Sequence, residues 1–486
     1  MIDLTINRET LAANINKARA AGMIIPTFAQ MKDPSLIPDN IRDKLSSVGL
    51  WDIDSVNLFR ITWKNEPKEY GGLFGRPNYI EFPSELTGVP CRIVALVGKW
   101  FPTGCHKVGA AFGCLVPRLI TGQFDAQHQK AVWPSTGNYC RGGAFNSKLL
   151  NVSSVAILPQ GMSRERFDWL SSIAGEVIAT PGSESNVKEI FDKANELCLD
   201  PSFMIFNQFE DMGNHLWHYE VTGNAMAEVF DLIKRPGDRF SGACFTVGSA
   251  GTIAAGDRLK QLYPELRLAA GEALQCPTLL QNGFGTHRIE GIGDKHVTWI
   301  HNVRNTDMVT AIDDNDSYEL LRLFNEPEGR KFLQKELGIP AALTDQLGLL
   351  GISGIANLLC CIKMAKYYEF GKKDVIATVL TDSADMYASR IEQLWLTGGI
   401  YTSASAAADY AGHIRALRTD NMEELTYVSR KRIHNLKYYT WVEQQGKTAA
   451  DLDALWYDSE NTWDKLHALT PEIDRLIDAF NAAVTG

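Results

Sequence analysis

Between residues 91 and 382, short apolar runs alternate with stretches of helical periodicity, and this alternation constrains the fold more than any other feature of the chain. CRIVALVG (91–98), KAVWPS (130–135), VSSVAILP (152–159), EVIAT (176–180), GACFTVG (242–248), LRLAAGE (266–272) and DVIATVLTD (374–382) read as strands. VGAAFGCLVPRLITG, RGGAFNSKLLN, RERFDWLSSIAG and TIAAGDRLKQLY lie between them and read as helices. Strands separated by helices of that length imply βαβ units and parallel sheets, so the expected class is α/β.

The 486 residues exceed what one hydrophobic core usually spans, so more than one substructure is expected. Residues 1–75 read as an N-terminal extension. LTINRETLAANINKARAAG has helical spacing with Thr5 or Asn7 as a cap, and the segment from Phe28 to Tyr70 reads as loop-rich. After about residue 395 the strand signal stops, and YVSRKRIHNLKYYTWVEQQ and TPEIDRLIDAFNAAV read as helices.

Charge and cysteine usage narrow the function classes. A net charge of −10 gives no electrostatic footprint for nucleic acid. The 9 cysteines include no CxxC, which argues against a disulfide framework or zinc knuckle and for a reducing compartment. No HExxH occurs, and His296 and His301 are five apart, on different faces of any helix, so no metal is expected. The N-terminus lacks an apolar stretch of signal-peptide type. The most apolar run, Leu347 to Ile362, falls short of the ~20 residues of a membrane span, so it reads as a buried helix entered through glycine. A cytoplasmic protein is expected.

Four segments join a strand end to a helix start, where open parallel sheets bind ligands: GCHKVGAAFG (104–113), PSTGNYCRGG (134–143), VGSAGT (247–252) and LGLLGISG (347–354). In Gly248, Ser249, Ala250, Gly251 and Thr252, small residues let backbone N–H groups approach an anion at a helix start, which suits a phosphate as well as a plain tight turn. No Gly-Lys-Ser/Thr follows, so triphosphate hydrolysis is disfavoured. GFGTHRIEG (283–291) lacks the last glycine of a dinucleotide fingerprint and reads as loop. Lys107 begins an apolar helix, where burial would lower its pKa towards a nucleophilic amine; taken alone, a solvated lysine at a helix N-terminus is the simpler reading. Ser135 to Asn138 and Ser353 each suit helix capping as well as ligand contact.

Taken together and in this order, the segments resemble the fold-type-II pyridoxal-phosphate enzymes of the cystathionine β-synthase and O-acetylserine sulfhydrylase (cysteine synthase) group. The resemblance covers about residues 76–385 and includes ILPQGMSRERFDWLSSIAGEVIATPG, NQFEDMGNHLWHYEVTGNAM, IEGIGD, GISG and DVIATVLTDSADMY. It implies two parallel-sheet, three-layer domains of tryptophan synthase β type: a large cofactor domain at 76–98 plus 205–395 and a small domain at 99–204; the N-terminal extension at 1–75 and the helical extension at 396–486 have no counterpart in it. It implies pyridoxal 5'-phosphate as cofactor and a homodimer. Lys107 matches the Schiff-base lysine, and Asn138 the asparagine at the cofactor's 3′-oxygen. Ser135, Thr136 and Gly137 match the loop holding the substrate carboxylate, assisted by Gln208. Gly248, Ser249, Ala250, Gly251 and Thr252 match the phosphate loop, and Ser353 the serine facing the pyridine nitrogen.

The implied activity is chemistry at the β-carbon of an amino acid through an aminoacrylate, most simply β-replacement. A hydroxyl at the pyridine nitrogen, unlike a carboxylate, makes a weaker electron sink and favours β-elimination over transamination. A β-eliminating lyase and a non-catalytic protein on the same fold are the alternatives. The chain departs from the family pattern in Cys105-His106 before the lysine, in Val108-Gly109 after it, in Tyr139 after the asparagine, and in Ala250 for a glycine. Packing or capping is the simpler reading of Cys105, His106 and Tyr139; contact with the leaving group or nucleophile is the other for His106 and Tyr139, and redox sensitivity for Cys105.

Overall fold

The aliphatic runs form two sheets in the computed structural model, which describes residues 1–66, 73–135, 137–182, 186–293 and 295–486. The strands are β1 Tyr79–Phe82, β2 Arg92–Val97, β3 Lys130–Pro134, β4 Ser154–Pro159, β5 Glu176–Thr180, β6 Phe203–Ile205, β7 Arg239–Thr246, β8 Arg267–Ala273, β9 Met308–Ile312, β10 Asp374–Leu380 and β11 Met422–Glu424. The seven strands read from the sequence are all present.

The larger sheet has the order β1-β2-β10-β7-β8-β9-β11. Its central strands run parallel, and β1 and β11 close the two edges antiparallel to β2 and β9. The smaller sheet, β5-β4-β3-β6, is wholly parallel. Side chains on the larger sheet alternate between two cores. Val94 and Leu96 of β2 and Val375, Ala377 and Val379 of β10 face one side; Ile93, Ala95, Val97, Ile376 and Leu380 face the other. That period of two, with both faces apolar, is what a sheet covered by helices on each side requires.

Each face has its helix. Ile352–Tyr367 is the Gly-entered apolar segment; it follows Gly351 and is buried over most of its length. Ala254–Leu262 covers the opposite face, where Gly256 sits so close to Leu268 that an added Cβ would lie 2.4 Å from its side chain. Among the described residues no single helix is long and apolar enough to cross a membrane. GFGTHRIEG contributes no strand or helix.

The N-terminal segment is more helical than its composition suggests. Arg8–Ala20 is capped by Asn7, whose Oδ1 accepts from Thr10 N, and short helices Phe28–Lys32 and Asp39–Leu45 interrupt the segment read as loop. The C-terminal segment is mainly helical, as expected, ending in Thr470–Thr485. Its one strand, β11, has a polar sequence and forms by pairing with β9.

The two extensions hold each other. Asp474 accepts from the backbone N–H groups of Phe28 (2.7 Å) and Ala29 (3.1 Å), satisfying the open start of a helix. Asn481 exchanges both amide hydrogen bonds with the Ile25 backbone. Asn14 in turn donates to Leu119 O and Phe124 O, at the end of the helix Lys107–Thr121. The helix that Lys107 begins is therefore braced from behind by both termini.

Candidate active site

Lys107 is delivered by a sharp reversal. After β2 the chain passes through Thr103 (φ 72°) and Gly104 (φ 69°) before the helix Lys107–Thr121 begins. A β-branched residue in left-handed backbone costs of order 1–3 kcal/mol, and such strain collects at functional sites. The helix buries nearly every residue, and Lys107 itself is 9% exposed. Its Nζ donates to Ser249 Oγ (2.8 Å) and to Gln208 Oε1 (3.2 Å).

Those partners come from two other strand ends. Gln208 follows β6, and Ser249 lies in the Gly248–Thr252 loop between β7 and the helix Ala254–Leu262. Asn214 ties them together, its Nδ2 donating to Gln208 O (2.9 Å) and Ser249 Oγ (3.1 Å). Gly251 is required here, since a Cβ would lie 2.0 Å from Asn214 Oδ1. Ala250, which stands where the family pattern has glycine, adopts φ 58°, the left-handed backbone that glycine enters without cost.

Lys107, Ser135, Asn138, Tyr139, Gln208, Gly248 and Ser249 line one cavity, which Phe209, Gly291 and Thr381 complete. The structure thus brings Lys107, Ser135, Asn138, Gln208, Gly248 and Ser249, half of the candidate site residues, to one cavity. Gly137 adopts φ 147° at the turn into the helix Asn138–Leu149. Thr136 lies outside the described residues. Ser353 is buried on the first turn of Ile352–Tyr367; its Oγ has no hydrogen-bond partner, and the Cβ position of Gly291 is 4.0 Å away. Tyr139 lines the cavity, whereas His106 is sunk among Trp63 and His218 and Cys105 is buried. Burial, with Lys107 adjacent, lowers the His106 pKa to about 3, so it is a neutral packing group. Burial likewise pushes the Cys105 thiol up to about 12, which suits packing over redox chemistry.

A buried charge network behind the cavity went unread in the sequence. Asp382, just past β10, accepts from Asn138 Nδ2 (2.7 Å) and from the Tyr387 hydroxyl (2.8 Å). Arg166 donates to Tyr387 (3.1 Å) and pairs with Glu290 (2.7 Å), which also binds Arg390. Burial raises the Asp382 pKa, and Arg166 opposes that rise. Arg166 also closes under Gly137, where a Cβ would lie 2.8 Å from its Cδ. The network links the helix Arg164–Ile173, beside the smaller sheet, to loops of the larger one. Its members were visible inside RERFDWL, IEGIGD and TDSADMY, but no local spacing pairs residues more than a hundred positions apart.

The residues present fit pyridoxal phosphate. The amine of Lys107, the unpartnered oxygens Asn138 Oδ1 and Ser353 Oγ, and a loop of small residues at a helix entrance supply a linking amine, ring contacts and an anion cradle. Asn138 has one amide hydrogen on Asp382 and a second left to give.

Residues 98–330 match the family model of pyridoxal-phosphate dependent enzymes. The chain is 29% identical over 259 residues to a cysteine synthase of Staphylococcus aureus, covering 53% of this chain and 75% of that protein. It is 25% identical over 322 residues to cystathionine β-synthase of Apis mellifera, covering 64% of this chain and 58% of that one. Among solved structures, O-acetylserine sulfhydrylase isoform 3 of Entamoeba histolytica superposes with a TM-score of 0.56 at 21% identity, over 70% of this chain and 93% of that chain. A hydrogen sulfide-producing enzyme from Fusobacterium nucleatum gives 0.54 at 21% identity, over 64% and 95%. Residues 98–330 thus match pyridoxal-phosphate dependent enzymes, and the chain is similar to the fold-type-II enzymes of the cystathionine β-synthase and O-acetylserine sulfhydrylase group.

Proposed function

We propose that this enzyme catalyses β-replacement on an amino acid carrying a leaving group at Cβ, in the manner of a cysteine synthase. The observation that carries the reading is the single cavity shared by Lys107, Ser135, Asn138, Gln208 and the Gly248–Ser249 turn. The names of its curated relatives, cysteine synthases and a cystathionine β-synthase, support the reaction type.

Lys107 is the residue that would link pyridoxal phosphate; Asn138 and Ser353 would hold its ring and Gly248 to Thr252 its phosphate. When bound, the cofactor supplies an electron sink for charge developing at Cα. The remaining work falls to this chain. Ser135, Thr136, Gly137 and Gln208 orient the substrate carboxylate, so that the Cα–H bond points at Lys107 Nζ. Lys107 Nζ would take the α-proton and later return it. Gln208 and Ser249 keep the amine in place. Aromatic packing of His106 and Trp63 closes the far side of the lysine turn to water.

The same reading divides the chain into a large cofactor domain (76–98 and 205–395) and a small one (99–204), and places the enzyme in the cytoplasm as a homodimer. The nine free cysteines, eight of them buried, suit a reducing compartment.

The test is a substrate panel: O-acetylserine, serine, cysteine and diaminopropionate, each with and without sulfide or another thiol. Amino-acid product that forms only when nucleophile is present is the expected result. Steady release of keto acid and ammonia without nucleophile would assign a β-eliminating lyase instead.

A further inference from the structure

The fold gathers three candidate metal ligands from distant positions in the sequence. His215 lies on the helix Met212–Trp217, Asp257 on Ala254–Leu262, and His467 in the C-terminal extension. One ligand atom from each falls within 4.8 Å of the others. The two imidazole Nε2 atoms are 2.9 Å apart, and His215 Nε2 is 3.8 Å from Asp257 Oδ2.

The surroundings orient these atoms as a metal site does. His215 Nδ1 lies 3.0 Å from Ile300 O; a carbonyl only accepts, so Nδ1 carries the proton and Nε2 presents its lone pair to the cluster. Asn302 Nδ2 donates to Asp257 Oδ2 (2.8 Å), aiming the carboxylate. The His467 ring is held flat against Tyr219, at 3.7 Å and an interplanar angle of 3°. Nearby cations are already engaged: Lys260 pairs with Asp307, and Arg304 donates to Trp456 O. A polar pocket of about 350 Å³ is lined by Asp257 and His467, among others, and has room for a cation to enter and for a water beside it.

We propose that His215, Asp257 and His467 bind a divalent transition cation of zinc type. Two imidazoles, one carboxylate and an open position form a ligand set that suits Zn²⁺. Tetrahedral Zn–N bonds of about 2.0–2.1 Å place two nitrogens roughly 3.3 Å apart, a small widening of the present gap. The cation fastens the C-terminal extension to the catalytic core. It also steadies the helix that carries Asn214, the residue bonded to Ser249. The competing arrangement is a bare imidazole–imidazole hydrogen bond, with His467 Nε2 donating to His215.

The two differ in solution. Purified holoenzyme is freed of metal with a chelator and titrated with Zn²⁺ by calorimetry, and with Co²⁺ by visible spectroscopy. The expected result is one tightly bound equivalent that raises the unfolding temperature, with cobalt d–d bands and no thiolate charge-transfer band. His467→Gln weakens binding by more than about 100-fold, and Asn302→Leu by about 10–100-fold. Asp257→Asn serves as a second ligand variant, and circular dichroism confirms that each is folded. Absence of a stoichiometric site in the wild type, thiolate bands, or unchanged affinity in a folded His467→Gln or Asp257→Asn protein would overturn the proposal.

Discussion

Lys107 Nζ stands 2.8 Å from Ser249 Oγ, joining the start of one helix to the loop that follows β7. One hydrogen bond thus joins the amine to the proposed phosphate grip. Ser249 is the hinge of this arrangement, because it also accepts from Asn214. Ser249→Ala removes a hydroxyl contact of about 1–2 kcal/mol, so pyridoxal phosphate is retained roughly 10-fold less tightly. Equilibrium dialysis of the variant checks this; unchanged retention would remove Ser249 from the cofactor site.

The Arg166–Glu290 pair crosses between the two sheets with both side chains almost fully buried. Glu290→Gln leaves the Arg166 guanidinium short of its charge partner inside the protein, which costs about 3 kcal/mol. Urea denaturation should show that loss at unchanged slope. A variant as stable as the wild type would mean that Tyr387 and Asp382 suffice to hold Arg166.

The helices Lys107–Thr121 and Met212–Trp217 touch backbone to backbone through two glycines. A Cβ on Gly113 would meet Gly213 O at 2.3 Å, and one on Gly213 would meet Gly113 O at 2.1 Å. No side chain can rotate away to make room, so Gly113→Ala forces the helices apart at a cost of about 2–3 kcal/mol. Because the first helix carries Lys107 and the second carries Asn214, activity falls along with the thermal midpoint. An alanine variant with wild-type midpoint would contradict this packing.

How much of this was legible in the sequence follows from what each feature depends on. Strands β2, β3, β4, β7, β8 and β10 announce themselves by apolar runs buried in their sheets, and β5 by its Val177-Ile178 pair; β9 is fully buried but has no such reading in the sequence. The edge strands β1, β6 and β11 are short and half-exposed, and β11 owes its shape to β9 rather than to its residues MEE. Lys107, Asn138 and the Gly248–Thr252 loop stood out because small and polar residues at strand ends are a local signal. Gln208 was found only through the family resemblance. Asp382, Arg166 and Glu290, like the trio His215, Asp257 and His467, are created by folding and leave no local spacing to read.

Lys437 is fully buried, and its Nζ donates to Trp299 O (2.9 Å) and His301 O (2.7 Å), with no carboxylate among these contacts. Burial lowers its pKa from the ordinary 10.5 to about 7. Between those values the unfolded chain holds a proton that the folded protein lacks, so this residue makes stability rise with pH, by at most about 1.4 kcal/mol per unit. The neighbouring His301 and His434 have pKa values of about 3 and stay neutral throughout. Lys437→Met should flatten the increase in stability between pH 7 and about 9. A wild-type slope in the variant would place the titration elsewhere.

The central claim is that pyridoxal phosphate is carried on Lys107. Borohydride reduction of the holoenzyme followed by peptide mass spectrometry tests it most directly, since reduction fixes the cofactor to whichever lysine holds it. The account predicts a pyridoxyl group on Lys107 alone, and loss of the yellow absorbance in Lys107→Ala. A label on another lysine, or a yellow Lys107→Ala protein, would contradict it.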